Sequence, residues 1–259
     1  MFRPPPGLYV GMNTRGRVKL EPGTRRVRVY LGGVLVADTL APMYVWEIPY
    51  YPWYYIPRAD VKAELVASGG TEHSPSRGDA TLYTVKAGGK EAVAAAKIYA
   101  DSPIEELRDL VSFDFKAMDA WFEEDEEIYV HPRNPYTRLD ILPSSRNVRV
   151  EIDGVTVAES ANARMLFETG LPTRYYLPKT AVRLDLLEPS DTRSACPYKG
   201  EASYYSVRVN GTVHEDVVWY YDTPLPESER IAGTMAFYNE KVDIFVDGVE
   251  QPRPSTQFS

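Results

Sequence analysis

The chain has 259 residues, 44% hydrophobic and 25% charged, with a formal net charge of −8, one cysteine (Cys196) and three histidines (His73, His131, His214). That is enough apolar material for two ordinary domains or one large β domain, and no apolar run approaches the ~18 residues of a membrane span. A lone cysteine excludes an internal disulfide framework. Without CxxC or HExxH spacing there is no structural zinc motif, so neither metal nor cofactor is expected.

The charge is unevenly spread. Residues 1–30 carry Arg3, Arg15, Arg17, Lys19, Arg25, Arg26 and Arg28 against Glu21, a sum of +6, and the rest of the chain sums to −14. A basic arm, residues 1–24, is therefore expected ahead of an acidic body. Such a body disfavours nucleic acid and anionic membrane as partners. The arm is expected to pack on acidic residues such as Glu123-Glu124-Asp125-Glu126-Glu127; a phosphate contact is the alternative. The opening Met-Phe-Arg-Pro-Pro-Pro-Gly lacks the apolar core of a secretory signal, so the cytoplasm is the expected compartment.

In chain order, residues at strand length that alternate or carry β-branched side chains occur at Arg26–Gly32, Val34–Asp38, Ala80–Val85, Asn147–Ile152, Val155–Glu159, Ala202–Val209 and Val242–Val246. Gly32-Gly33 and Asp153-Gly154 separate paired runs, where a two-residue turn needs positive φ, so each half opens with a hairpin. Short helical turns are expected only at Arg58–Val66, Pro103–Leu110, Pro178–Leu187 and Pro224–Glu229.

An internal repeat organises these elements. Val27-Arg28-Val29 returns as Val148-Arg149-Val150, 121 residues later. The same offset pairs Glu47 with Glu168 and Tyr54-Tyr55-Ile56-Pro57 with Tyr175-Tyr176-Leu177-Pro178. It becomes 122 at Tyr83 and Tyr205, is read as 121 again at Tyr99 and Tyr220, and later pairs Ser112-Phe113 with Ala236-Phe237 and Asp119 with Asp243. The alanine-rich Lys90–Lys97 alone suggests a helix. Its counterpart, Val213-His-Glu-Asp-Val-Val-Trp-Tyr-Tyr, is strand-like, so both are assigned as strands. The expected division is a first β domain at 25–130, a linker at 131–146, a second β domain at 147–250 and a tail at 251–259.

Cys196-Pro197-Tyr198-Lys199-Gly200, Tyr204-Tyr205, Trp219-Tyr220-Tyr221 and Ala236-Phe237-Tyr238 resemble the signature of the domain of unknown function 427 family, also catalogued as nucleotidyltransferase-like. Glu168-Thr169-Gly170-Leu171-Pro172-Thr173-Arg174-Tyr175-Tyr176-Leu177-Pro178 resembles its upstream motif, and Trp121-Phe122-Glu123-Glu124 resembles the junction of its two-copy members. The resemblance implies a compact, bent, mainly β fold, tent-like as in methionine sulfoxide reductase B and the cereblon ligand-binding domain but without their zinc cysteines. It carries over no catalytic residues. The nucleotidyltransferase label lacks a matching motif: no Gly-Ser precedes paired aspartates, and Gly88-Gly89-Lys90 runs into Glu91 rather than the hydroxyl of a P-loop.

The residues closest to chemistry lie in the second copy. Cys196 stands three residues before Lys199, whose ammonium favours the thiolate, and Glu168 adds a carboxylate, so the three fit nucleophile, oxyanion stabiliser and general base. The alternative is a buried structural cysteine and a solvated lysine. Ser74 and Arg77 occupy the equivalent places in the first copy. Nineteen tyrosines cluster rather than scatter, and alternation along a strand points one of each Tyr-Tyr pair inward and its neighbour outward. Arg174, Tyr176, Tyr204, Trp219 and Tyr238, with Glu47 and Tyr55 in the first copy, are accordingly expected to line ligand cavities. The leading expectation is a small-molecule-binding protein with an enzymatic site in the second domain. A nucleotidyltransferase-like enzyme, or an interaction module that forms a homodimer through its aromatic surface, are the alternatives.

Overall fold

The structure, a computed structural model, describes residues 8–13 and 16–256. Arg3 and Arg15 of the basic segment lie outside the described residues. The chain forms two units, Met1–Asn134 and Pro135–Ser259. Both are mainly β: every helical element among the described residues is a 3-10 turn of three to six residues. None is long and apolar enough to cross a membrane.

The first unit contains β1 (Leu8–Asn13), β2 (Gly16–Pro22), β3 (Val27–Leu31), β4 (Val34–Thr39), β5 (Met43–Trp46), β6 (Trp53–Pro57), β7 (Glu64–Ser74), β8 (Gly78–Ala87), β9 (Lys90–Ile98), β10 (Leu110–Phe113), β11 (Ala120–Glu123) and β12 (Glu126–Ile128). Eight of these form a large sheet in the order β1-β2-β5-β6-β10-β9-β8-β7, and four form a small one, β12-β11-β3-β4. The second unit contains β13 (Leu139–Ser144), β14 (Val148–Ile152), β15 (Val155–Ser160), β16 (Ala163–Glu168), β17 (Arg174–Pro178), β18 (Leu187–Cys196), β19 (Gly200–Val209), β20 (Thr212–Tyr220), β21 (Thr234–Phe237), β22 (Asp243–Val246) and β23 (Val249–Glu250). Its sheets run β13-β16-β17-β21-β20-β19-β18 and β15-β14-β22-β23. Strand for strand this is the order of the first unit, apart from β1.

The repeat therefore starts earlier than its most similar residues suggest. β2 and β13 hold equivalent positions beside β5 and β16, with β1 added outside β2, so Gly16–Pro22 is a sheet strand rather than part of a separate arm, and Leu139–Ser144 is a strand rather than linker. A signal existed: Arg17-Val18-Lys19-Leu20-Glu21-Pro22 and Arg138-Leu139-Asp140-Ile141-Leu142-Pro143 share Arg, two apolar positions and Pro at the 121-residue offset. The acidic run does receive the cations of β3 and the residues before it. Arg25 ion-pairs with Glu123, Arg28 with Asp125 at 2.7 Å, and the Arg26 amide donates to Glu124 at 2.8 Å.

The cores explain the alternation. Val27, Val29 and Leu31 of β3, and Val148, Val150 and Ile152 of β14, turn every second side chain toward the large sheet. There they meet Tyr54, Ile56, Phe113 and Trp121 in the first unit and Leu177, Met235 and Phe237 in the second. The other face of each large sheet carries its own apolar cluster, capped by Ile104 and Leu107 or by Ile231. This alters the expected fate of the paired tyrosines. Tyr54 and Tyr55 point to opposite faces, yet both are buried, because both faces are covered.

Two-residue turns close the opening hairpins as the sequence requires, with φ of 61° and 74° at Gly32 and Gly33 and 49° and 75° at Asp153 and Gly154. Gly88 is tighter still: at φ +54, a Cβ would stand 2.1 Å from the Gly32 carbonyl oxygen, whereas one at Gly89 (φ +77) would meet open space. Gly89→Ala is accordingly expected to cost about 1 kcal/mol, the left-handed backbone alone. Gly88→Ala adds a backbone collision and should cost several times more, as read from denaturant unfolding of the two variants side by side.

Candidate functional site

The site forms on the face of the large sheet turned away from the small one. In the second unit, Tyr176 pairs with Ala236, Ala236's strand places it beside Trp219, and Trp219 pairs with Tyr204. Directly paired residues share a face, so these four make one lateral row. Around them gather Ile141, Leu166, Ala202, Tyr221 and Ile231.

The polar groups arrive from strand ends. Glu168 closes β16, and a tight turn from Cys196 to Gly200, in which the Lys199 amide donates to the Cys196 carbonyl at 3.3 Å, brings Lys199 back over the sheet. Gly200 permits this at φ +96. The turn is fastened from beyond it: the Leu225 amide donates to the Lys199 carbonyl at 3.1 Å, and the Ser228 hydroxyl donates to the Tyr198 carbonyl at 3.0 Å. Lys199 Nζ then lies 2.6 Å from Glu168 Oε2, with both side chains almost withdrawn from solvent. The ammonium is thus engaged by the carboxylate.

Tyrosines surround this pair. The Tyr176 hydroxyl accepts a hydrogen bond from Trp219 Nε1 at 3.0 Å, and burial raises its ionisation above the ordinary tyrosine value. Burial raises Tyr221 as well, and Tyr176, Cys196, Tyr204 and Glu168 around it add to the effect. The ion pair and the turn thus carry Glu168, Lys199 and Cys196 to one place. The Tyr204 hydroxyl lies 2.6 Å from Ser194 Oγ and 3.4 Å from the Tyr238 hydroxyl, and the Tyr238 ring packs 4.6 Å from that of Trp219. Arg174 stands over Trp219, 5.6 Å from the ring centroid, and makes two 2.7 Å bonds to the buried Glu240. Of the residues singled out in the second copy, Glu168 and Lys199 meet directly, Cys196 opens the turn that carries Lys199, and Arg174, Tyr176, Tyr204, Trp219 and Tyr238 form one linked group. Sequence reasoning missed Tyr221, Ser194 and Glu240; the doubled aromatic of Trp219-Tyr220-Tyr221 was the signal for the first.

The first unit repeats the arrangement with a different cation. Tyr55 donates to Glu47 Oε1 at 2.6 Å, Arg77 reaches Glu47 Oε2 at 3.0 Å, and Lys97 Nζ lies 3.7 Å from the same oxygen. The Arg77 guanidinium lies 5.3 Å from the Tyr99 ring centroid. Register fixes the equivalences. Leu82 pairs with Lys97 as Tyr204 pairs with Trp219, so the 122-residue offset continues through β9 and β20. Tyr99 consequently matches Tyr221, not Tyr220 as residue identity suggested, since a slip of one residue would put the ring on the opposite face. Asp243, opposite Glu151, likewise matches Ala120, opposite Tyr30, rather than Asp119.

Among the described residues no group of three or more His, Cys, Asp or Glu is placed to hold a metal ion. Asp243 bonds Arg253 at 2.6 Å, and Asp247 bonds Arg146 at 2.7 Å and the Asn147 amide at 2.9 Å. Ion pairing and turn formation account for both.

A buried ion pair is costly to break, because its partner is left charged and unsolvated. Lys199→Met should destabilise the second unit by about 3–5 kcal/mol, and Lys199→Met with Glu168→Leu should recover most of that loss in denaturant unfolding. A pH effect follows from Glu240. Burial pushes its carboxyl up, but hydrogen bonds from Arg174 and Thr256 outweigh this and hold it below the ordinary value of 4.5. A carboxyl depressed in the folded state stabilises above its unfolded value, and the contribution is lost as pH falls through the folded one. The stability difference between the wild type and Glu240→Gln should therefore be constant near neutrality and shrink as pH is lowered below about 4.5.

The domain of unknown function DUF427, catalogued as NTP_transf_9, matches the chain twice, over residues 19–124 and 140–248. No curated protein matches it. Each matched segment spans one of the two structural repeats, and together they take up most of the chain, which therefore belongs to the DUF427 family as a two-copy member.

Proposed function

We propose that the protein binds a small molecule on the outer face of the second unit's large sheet, where Glu168 and Lys199 meet Tyr176, Tyr221 and Cys196. The observation that carries this reading is that both units keep a carboxylate, a cation and two tyrosines at equivalent places, while the cation changes from Arg77 to Lys199. Such pairs are poor stabilisers, because desolvating two charges offsets their attraction, and an apolar pair of the same volume would serve packing as well or better. Retaining charge where packing does not need it is what recognition of a polar ligand requires. The aromatic walls supply the apolar contact that small-molecule sites typically combine with a few polar groups.

Cys196 extends the reading to turnover: its thiol proton passes to Glu168 as the sulfur adds to an acyl, amide or nitrile carbon, and the π electron pair of that carbon moves to the attached oxygen or nitrogen, which Lys199 stabilises until water releases the product. We also read each unit as tent-like, supported by its two packed sheets, and the protein as cytoplasmic.

The test is a thermal-shift screen against a metabolite collection, run on the wild type and on Glu168→Gln and Tyr176→Phe. A ligand of this site raises the wild-type unfolding temperature, and the shift falls by half or more in both variants. Equal shifts in all three proteins for every active compound would sink the proposal. Iodoacetamide labelling of the native protein at neutral pH reports separately on Cys196: rapid alkylation supports a nucleophile, and labelling only after denaturation removes the catalytic extension while leaving binding intact.

A further inference from the structure

The first unit has an open cavity of about 230 Å³ on the equivalent sheet face, lined in part by Trp53, Glu72, Leu82, Lys97, Ser112 and Asp114. Register shows what it replaces. Leu82, Lys97 and Ser112 stand where the second unit has Tyr204, Trp219 and Ala236. Asp114, two residues beyond Ser112, stands in the place of Tyr238. In the second unit those three rings pack on one another. A leucine, a lysine and an aspartate at the same places leave space instead.

One feature of this space points to an occupant. Ser112 is only 1% exposed, and its hydroxyl has no hydrogen-bond partner in the protein. Packing does not require that hydroxyl, since alanine fills the place in the second unit, and a buried unpaired hydroxyl is unfavourable until something bonds it.

Charge selects the class of occupant. Lys97 is already shared between Glu72, at 3.1 Å, and Glu47, and Glu47 is also held by Arg77. Asp114 uses one oxygen to accept from the Lys116 amide at 3.0 Å and keeps the other. The lining carboxylates outnumber the lining cation, and Trp53 offers an aromatic face of the kind that attracts cations. The volume lies below that of drug-sized pockets. From this we propose that the first unit's cavity binds a small organic ammonium compound. Its N–H groups donate to Ser112 Oγ and to the Asp114 and Glu72 carboxylates, and its carbon stem lies against Trp53 and Leu82. This site is separate from the one proposed in the second unit and stands without it.

Three four-carbon probes of similar length test the assignment: 1,4-diaminobutane, 1,4-butanediol and succinate, each titrated into the ¹⁵N-labelled full chain and followed by NMR. The Trp53 indole N–H, assigned through Trp53→Phe, is the reporter. Diaminobutane is expected to shift it saturably, with Ser112→Ala and Asp114→Asn each weakening binding by about tenfold, and with added salt weakening it further. Asp114→Asn keeps a side-chain oxygen for the Lys116 amide, and unchanged far-UV circular dichroism and an unchanged denaturant midpoint confirm that both variants are folded. Tighter binding of the diol or of succinate, no saturable shift with any probe, or wild-type affinity in both variants would overturn the proposal. Diaminobutane binding that survives Lys199→Met with Glu168→Leu supports it, and shows that it stands even where the second unit's site fails.

Discussion

Burial of the large sheet on both faces is the constraint from which the rest of each unit follows. The small sheet covers one face, through Val27, Val29 and Trp121 in the first unit and Val148, Val150 and Ile244 in the second. A return loop with a 3-10 turn covers part of the other, through Leu107 or Ile231. Alternation along a strand then sends neighbours such as Tyr54 and Tyr55 into two different interiors. The first belongs to the core between the sheets, and the second stands beside Glu47 in a polar cluster.

Duplication makes the two outer faces a natural comparison. Both units preserve a carboxylate bonded to a cation, at Glu47 with Arg77 and at Glu168 with Lys199. The guanidinium of Arg77 also reaches over Tyr99, whereas the Lys199 ammonium acts as a point charge on one carboxylate oxygen. Around that shared centre the walls diverge. Aromatic rings meet in the second unit, and in the first a charged cavity opens at the same register. Two copies on one scaffold thus present different surfaces, because ladder pairing keeps the register while the side chains on that face change.

Charge in the N-terminal region illustrates what a sum leaves open. Read as a total, +6 over thirty residues fits an arm packed on the chain's own acidic residues or, as the alternative, one available to an anion. In the fold, Arg25, Arg26 and Arg28 each find an acidic partner that lies far away in sequence or across a hairpin, at Glu123, Asp38 and Asp125. The pairs of Arg26 and Arg28 lie at the surface and add little stability, whereas Glu123 is buried. They do use the charges that would otherwise attract phosphate.

The mainly β class, the tandem repeat, the opening hairpins and the strand identity of Lys90–Ile98 were legible in the sequence, because period-2 patterning, Gly-Gly and Asp-Gly turns and a second copy are all local or self-referential signals. The gathering of Glu168, Lys199, Cys196 and the aromatic residues was legible as a list of residues but not as a geometry. What only the tertiary structure decided was register and burial. It placed β2 and β13 inside the sheets, although their similarity is limited to a few positions. It matched Tyr99 to Tyr221 through ladder bonds that residue identity cannot see, and it showed Ser112 beside an open cavity where Ala236 stands under packed rings. The physical reason is the same in each case: hydrogen-bonded pairing and the covering of a face are made by residues tens of positions apart, and a sequence records their types without recording which of them meet.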